Sequence, residues 1–167
     1  MKNSINHSTT EVRTIEEEIN QTRPFQSAFQ KASVNLLYTF NCMIEQIRAQ
    51  LDPYGITVQQ YNVLRILRGA NGPLTTSVIR ERMLDRMSDT SRLVDRLVKK
   101  ELASRNICPN DRRLVDVSIT DAGRKLLADL DDSMATTHQY SEVFGEKEAK
   151  QLSNLLDRLR ASVQSIT

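Results

Sequence analysis

Two groups of polar and basic side chains in the middle of the chain could bind nucleic acid. The first group lies on and just before a predicted helix and consists of Arg86, Ser88, Asp89, Thr90, Ser91, Arg92 and Arg96. An arginine guanidinium can hydrogen-bond a guanine edge in a bidentate manner, while hydroxyl groups can reach phosphates or base edges. The competing interpretation is a solvated helix surface on which Ser88 and Asp89 act only as an N-cap and a helix-dipole partner.

The second group is a short run at a predicted tight turn, Asn110, Asp111, Arg112 and Arg113. A guanidinium that projects from such a turn could enter a narrow minor groove or bind a phosphate, and Asp111 could orient it through a salt bridge. An exposed pair of this kind contributes only about 0.2–1 kcal/mol, so its value would be in positioning the cation.

The distribution of charge supports a nucleic-acid-binding face. The whole chain has a net charge of +2, but residues 80–113 hold ten Lys and Arg against six Asp and Glu. The rest of the chain holds 13 Lys and Arg against 15 Asp and Glu. Basic charge is therefore concentrated in the part of the chain that contains both groups, which indicates nucleic acid, although a solvated helical face remains the alternative.

A long amphipathic helix is predicted upstream of these residues, after a polar segment that forms a frayed tail or a short helix. From Phe25 to the Asp52-Pro53 pair, apolar residues recur at spacings of four and three: Phe29, Ala32, Leu36, Phe40, Met43 and Ile47. The apolar face is broader than one small domain usually covers, which favours a second subunit as its partner. Cys42 lies near this stripe, where we expect it to pack as a small apolar residue.

The elements that position the polar groups follow. Thr57 is predicted to cap a second helix, Leu74-Thr75 to begin a third, and Ser88 to cap a fourth. The predicted inward faces are Val78, Ile79, Met83 and Leu84 for the third helix, and Leu93, Val94, Leu97 and Val98 for the fourth. Two β-rich runs, 103–107 and 114–119, then predict a hairpin. Helix, tight turn, helix and basic hairpin together are typical of a winged helix-turn-helix.

Two further helices complete the chain. Thr120-Asp121 is predicted to cap a long helix that runs through Leu126, Leu127, Leu130 and Met134 toward Phe144 and ends at Gly145. The last helix carries an apolar stripe of Leu152, Leu155, Leu156, Leu159 and Val163. The predicted fold class is mainly α with a small β-hairpin wing.

The stretch from Leu74 to Gly123 resembles the MarR family of bacterial regulators. The most specific pieces are SRLVDRLVKK at residues 91–100 and DRRLVDVSITDAG at residues 111–123, which is similar to the family's Asp-x-Arg wing and its Thr-x-x-Gly entry into the next helix. The resemblance covers about residues 25–165. Two positions depart from it: Leu84 stands where the family commonly has Gly in the turn, and Glu101 where it usually has Gly before the first wing strand.

The resemblance implies a domain organisation and a function. Residues 1–24 would be a polar extension and 25–167 a MarR-like domain, with dimerisation helices at 25–51 and 121–165 and a winged helix-turn-helix at 57–120. The implied function is a sequence-specific regulator of transcription, a repressor that binds a palindromic double-stranded DNA operator as a homodimer and is released by a small aromatic effector. Asp111 and Arg113 match the family's wing motif, and residues 88–92 match the start of its recognition helix. Thr75 and Thr76 complete the predicted DNA-binding set.

Several other function classes are not supported by the sequence. Cys42 and Cys108 are 66 positions apart without a CxxC motif, which predicts neither a disulfide framework nor a zinc site. Neither a metal nor another cofactor is expected. A nucleophile–base pair, a Gly-rich phosphate loop and a paired-carboxylate arrangement are all missing, which argues against an enzyme. The N-terminus lacks an apolar leader and apolar runs fall short of a membrane span, so a cytoplasmic protein is expected. The alternative function is a winged-helix interaction module that does not bind DNA.

Overall fold

The computed structural model describes residues 12–107, 115–133, 143 and 145–165. These residues belong to two compact units, one up to Ile47 and the other from Arg48 onward. In the first unit, the polar N-terminal segment contains a short helix, α1 (Ile15–Glu18). A capping box begins it: Thr14 Oγ1 accepts from the Glu17 N–H at 3.4 Å, and the Thr14 N–H donates to the Glu17 carboxylate at 2.6 Å.

The long helix α2 (Ala28–Leu51) confirms the predicted amphipathic helix, although it begins three residues after Phe25. A 3-10 turn (Asp52–Tyr54) ends it, as the Asp52-Pro53 pair predicted. Its apolar stripe remains uncovered in the described chain, since Phe29 is 85% and Phe40 56% exposed. Cys42 is exposed as well, so the expectation that it packs inward was wrong. On its helix face, Cys42 lines a cavity together with Tyr38 and Ile15.

The second unit is built around α3 (Val58–Arg68), α4 (Thr76–Arg82) and α5 (Thr90–Lys99). Thr57 is the N-cap of α3, as predicted, and forms a capping box with Gln60. The fully buried side chains include Leu51, Val63, Leu64, Ile79, Val94, Leu97, Val117, Leu127 and Leu130. Leu84, which was predicted to face inward, is 89% exposed, because α4 ends at Arg82 and the chain turns before that position.

A three-stranded antiparallel sheet contains the predicted wing. It has the order β1-β3-β2, with β1 at Leu74–Thr75, β2 at Ala103–Ile107 and β3 at Val115–Ile119. Ala103 is paired with Ile119, and Ile107 with Val115. The hairpin prediction is confirmed, whereas the pairing of β1 with β3, through Leu74 and Val117, was not predicted.

Among the described residues, helices α6 (Asp121–Ser133) and α7 (Glu146–Gln164) follow the sheet. The α6 residues Leu127 and Leu130 are buried, and Asp131 pairs with Arg68 of α3 at 2.5 Å. The predicted continuation of this helix through Met134 toward Phe144 lies outside the described residues. The predicted stripe on α7 is present but uncovered, with Leu155 and Val163 each 58% exposed.

Candidate DNA-binding site

The predicted DNA-reading helix is α5, whose two faces differ sharply. Leu93, Val94 and Leu97 are buried on one side and hold the helix against the core. The opposite face is an exposed polar surface made of Ser91, Arg92, Asp95, Arg96 and Lys99. The apolar side fixes the helix, so the polar side is available to a partner such as the edge of a duplex.

Asp89 both begins α5 and orients Arg92. Its Oδ1 accepts from the Arg92 N–H at 3.2 Å as the N-cap, and its Oδ2 lies 3.1 Å from Arg92 Nε. Ser88, predicted to be the N-cap, is not: its hydroxyl donates to Asp85 instead, at 2.7 Å. Because Asp89 engages the Nε of Arg92, the two terminal Nη groups remain available for the bidentate contact that arginine makes with guanine.

The turn between α4 and α5 is held by two anchors. Just after α4, the Leu84 N–H donates to Asn62 Oδ1 at 3.0 Å. Closer to α5, Asp85 accepts hydrogen bonds from the Ser88 hydroxyl and from the Met87 N–H, the latter at 3.0 Å. The hydrogen bond from Ser88, and then the one from Met87, lower the pKa of Asp85 below its ordinary value. The turn is thus a fixed connection that positions Arg86 and the start of α5.

Three threonines of the predicted site are buried or half-buried. Thr75 is the N-cap of α4, and its Oγ1 accepts from the Val78 N–H at 3.4 Å. Thr76 is half-buried in the first turn of that helix. Thr90 is only 3% exposed, and its hydroxyl lies 3.5 Å from the Ser88 carbonyl oxygen. We therefore remove Thr90 from the residues expected to touch a duplex, since its side chain faces the core.

A clamp that sequence reasoning did not identify joins the end of α5 to the wing; it comprises Glu101, Leu102, Thr120 and Gly123. The Leu102 N–H donates to the Leu97 carbonyl at 3.0 Å and the Glu101 N–H to that of Val98 at 2.9 Å, the two bonds of a Schellman motif. Glu101 occupies its left-handed position, with φ of 58°. Since Gly is favoured in that conformation, the structure explains why Gly is usual at this position in the family that the chain resembles.

Thr120 and Gly123 complete the clamp from the other side. The Thr120 hydroxyl donates to the Glu101 carbonyl at 2.7 Å and accepts from the Gly123 N–H at 3.1 Å. The Thr120 N–H donates to the Leu102 carbonyl at 3.2 Å. The Thr-x-x-Gly motif therefore caps α6 and at the same time fixes the end of α5. Its appearance in the family resemblance was the available signal for this role.

The wing strands are also tied to α5 directly. Arg105 of β2 pairs with Asp95 of α5 at 2.5 Å. The predicted wing-tip residues Asn110, Asp111, Arg112 and Arg113, together with Cys108, lie outside the described residues. In the part of the chain that the structure describes, no group of three or more His, Cys, Asp or Glu side chains could hold a metal ion. Within that same part, no helix is both long and apolar enough to cross a membrane.

Helices α4 and α5, the fixed turn between them and the adjoining β2–β3 hairpin define a winged helix-turn-helix, a class of DNA-binding protein. The sequence model described as MarR family matches residues 54–114. A solved MarR transcription factor from Planctomyces limnophilus is 32% identical, with 83% of this chain and 99% of that chain covered and a TM-score of 0.60. The protein belongs to the MarR family of transcriptional regulators.

Other relatives carry more specific descriptions. The transcriptional repressor MdtR of Bacillus subtilis is 29% identical over 133 residues, which cover 79% of this chain and 85% of MdtR. A cysteine-to-serine mutant of Escherichia coli MarR, solved with operator DNA, is 26% identical, with 75% and 91% of the two chains covered and a TM-score of 0.65. NadR, solved with 4-hydroxyphenylacetate, is also 26% identical, with 82% and 97% covered and a TM-score of 0.65.

Proposed function

We propose that this regulator is a repressor that binds a palindromic double-stranded DNA operator as a homodimer. The observation that carries the proposal is the exposed face of α5, where Asp89 holds Arg92 by its Nε and leaves the terminal Nη groups available. Base contacts specify a sequence, whereas phosphate contacts mainly position the protein. We therefore assign Arg92 to base reading, and Arg86, Ser91, Arg96 and the wing-tip arginines to contacts that include the phosphates.

The homodimer is supported by the two uncovered apolar stripes. On α2, the exposed apolar side chains include Phe29, Leu37 and Phe40; on α7, they include Leu155 and Val163. Burial of such side chains contributes about 1.5–3 kcal/mol each, so stripes of this length favour association over exposure to water. The domain boundaries implied by the family resemblance, with dimerisation helices at 25–51 and 121–165, remain part of this proposal. Two-fold symmetry would place the recognition helices about 34 Å apart, one turn of the duplex.

Three finer features belong to the same proposal. MdtR is named a repressor, and the operator complex of Escherichia coli MarR and the 4-hydroxyphenylacetate complex of NadR support operator binding and release by a small aromatic carboxylate. We assign the protein no catalytic activity and place it in the cytoplasm, where an operator would be accessible. Addition of 4-hydroxyphenylacetate and related acids to a preformed DNA complex tests the release step.

Fluorescence-anisotropy titrations test DNA reading. Duplexes from the protein's own promoter region and a scrambled duplex of equal length are titrated across a salt series. We expect tighter binding to the promoter and a steep fall of log affinity with log salt concentration, because bound phosphates release counterions. Arg92→Ala should weaken promoter binding by tenfold or more and scrambled binding much less, since a bidentate base contact contributes about 1–3 kcal/mol.

A charge-matched control is Arg124→Ala, on the exposed side of α6 and away from the helix-turn-helix sequence, which should change neither affinity appreciably. Equal losses on both duplexes for Arg92→Ala would contradict base reading by Arg92. Absence of binding to either duplex by the wild-type protein would favour an interaction module that has kept the winged helix without DNA binding. The dimer is tested separately by sedimentation equilibrium of the wild type and of Leu155→Arg, which should shift toward monomer.

A further inference from the structure

Two large apolar side chains on the turn that leads into α5 are exposed to solvent. Leu84 is 89% and Met87 93% exposed, although the residues around them are charged, namely Asp85, Arg86 and Asp89. A single exposed apolar residue on a protein surface is common and needs no explanation. Met87, however, lies three residues before the first residue of the helix that presents Arg92. The position of Met87 next to this helix, and not only its exposure, therefore needs an explanation.

The turn leaves Met87 little freedom to fold back onto the core. Its N–H donates to Asp85 Oδ1 at 3.0 Å, and the next residue, Ser88, donates its hydroxyl to the other oxygen of the same carboxylate at 2.7 Å. At the start of the turn, Asn62 accepts from the Leu84 N–H at 3.0 Å. These bonds hold the backbone so that the thioether extends outward, beside the N-terminus of α5. A backbone held in this way keeps the Met87 side chain on the outside, where a partner that approaches the helix can contact it.

The chemistry of the major groove identifies the partner group. The recognition helix of a helix-turn-helix enters the major groove with its N-terminal residues against the base edges. Among the base edges displayed there, thymine alone offers an apolar group, its C5-methyl. A methionine side chain is flexible and polarizable, and it adapts to small apolar surfaces. Arg86, next to Met87 in sequence, and Arg92, on α5, carry the positive charge that attracts a duplex.

We propose that Met87 reads the C5-methyl group of a thymine in each half of the operator. This proposal rests on the proposed function, because it requires specific DNA binding. Met87 would determine specificity through an apolar contact, whereas the other residues of the site act through hydrogen bonds. Leu84 lies three residues farther from α5 and has the same apolar character, so it serves as the matched control.

The test uses duplexes selected from a random library by the full-length protein. Each thymine of the selected half-site is replaced in turn by deoxyuridine, which removes the methyl group and leaves the pairing edge intact. For wild-type protein we expect one such replacement to weaken binding about fourfold, the effect of one buried methyl-sized group, and a symmetric pair of replacements about sixteenfold. Met87→Ala should bind the thymine duplex less tightly and should not distinguish thymine from uracil at that position. Leu84→Ala should retain the wild-type response.

Three results would overturn the inference. They are indifference of the wild-type protein to uracil at every thymine, a wild-type thymine preference in Met87→Ala, and loss of that preference in Leu84→Ala. Failure of the library to yield any preferred sequence would overturn both this inference and the proposed function, whereas selective binding without methyl dependence would overturn this inference alone. Urea denaturation of each variant confirms that it is folded. We expect the urea midpoints of both variants to match that of the wild type, because both side chains are exposed.

Discussion

Gly123→Ala should destabilise the protein, because position 123 has no room for a β-carbon. A Cβ there would lie 2.9 Å from Ile119 Cγ1 and still closer to the Leu102 carbonyl oxygen. The Leu102 backbone cannot retreat without disturbing its bond to the Leu97 carbonyl, at 3.0 Å, and the bond that it accepts from the Thr120 N–H, at 3.2 Å. The substitution therefore affects the clamp that joins α5 to the wing.

The magnitude follows from opposing contributions. Alanine is favoured over glycine in a helix by about 1 kcal/mol. Against this, overpacking costs about 1–3 kcal/mol or more, and each weakened hydrogen bond costs about 1 kcal/mol. We expect a net loss of about 2–3 kcal/mol in the free energy of unfolding, together with weaker operator binding, because the end of α5 is displaced.

Urea denaturation at one fixed protein concentration measures this loss, since a dimer's apparent stability depends on concentration. The control is Gly69→Ala, whose added Cβ would meet no atom nearer than the Arg65 carbonyl oxygen at 3.4 Å. We expect this control to change stability by no more than about 0.5 kcal/mol. A Gly123→Ala protein as stable as the wild type would refute the close-packing argument, and unchanged operator binding in a destabilised variant would separate the clamp from DNA recognition.

Three further predictions concern the same unit. Thr120→Val should lose about 1–2 kcal/mol, because it removes both the hydroxyl donor to Glu101 and the N-cap acceptor for Gly123, while Thr120→Ser should retain most of the stability in the same denaturation assay. Glu101→Gly should gain about 0.5–1 kcal/mol by relieving the positive φ, whereas Glu101→Ala should gain nothing; equal effects of the two would refute the strain argument. Asp131→Asn should cost less than about 1 kcal/mol at neutral pH, as expected for a partly exposed pair with Arg68. Since that pair lowers the pKa of Asp131, its contribution should be present above the unfolded-state pKa of about 4 and vanish as pH falls through the lower folded-state pKa; thermal denaturation at several pH values should show the two proteins converging in acid.

Periodicity predicted those parts of the fold in which burial repeats regularly along the chain. The apolar face of α5 and the strands of the wing followed this rule, and Leu93, Val94 and Leu97 are buried as expected. Leu84 did not follow it, because α4 ends two residues earlier and the pattern alone carries no stop signal there. Strand β1 was not predicted, for a different reason. It is two residues long and exists through its pairing with β3, which is distant in sequence.

Within the candidate site, the sequence alone did not determine which structural role each polar residue has. Ser88 and Asp89 are both favoured N-caps, so their types alone could not decide between them. The choice is made by Asp85, which accepts the Ser88 hydroxyl and leaves Asp89 to cap α5 and hold Arg92. Thr90 was included through the family resemblance of residues 88–92, yet the rotation of the helix turns it inward. Such choices depend on competition between nearby hydrogen-bonding groups, which a linear pattern does not contain.

The recognition helix is anchored at both ends by groups that need not touch DNA. At its start, Asp85 and Asn62 hold the turn; at its end, the Glu101–Gly123 clamp holds the Schellman motif. A helix held in this way loses less conformational entropy on binding, so these anchors should influence operator affinity as well as stability. The strain at Glu101 acts at the second anchor, because the Schellman motif requires a positive φ at position 101 and a residue with a β-carbon is disfavoured in that conformation. Glu101→Gly is therefore expected to tighten the connection between α5 and the wing, and a simultaneous gain in stability and in operator affinity would show that the two properties share this anchor.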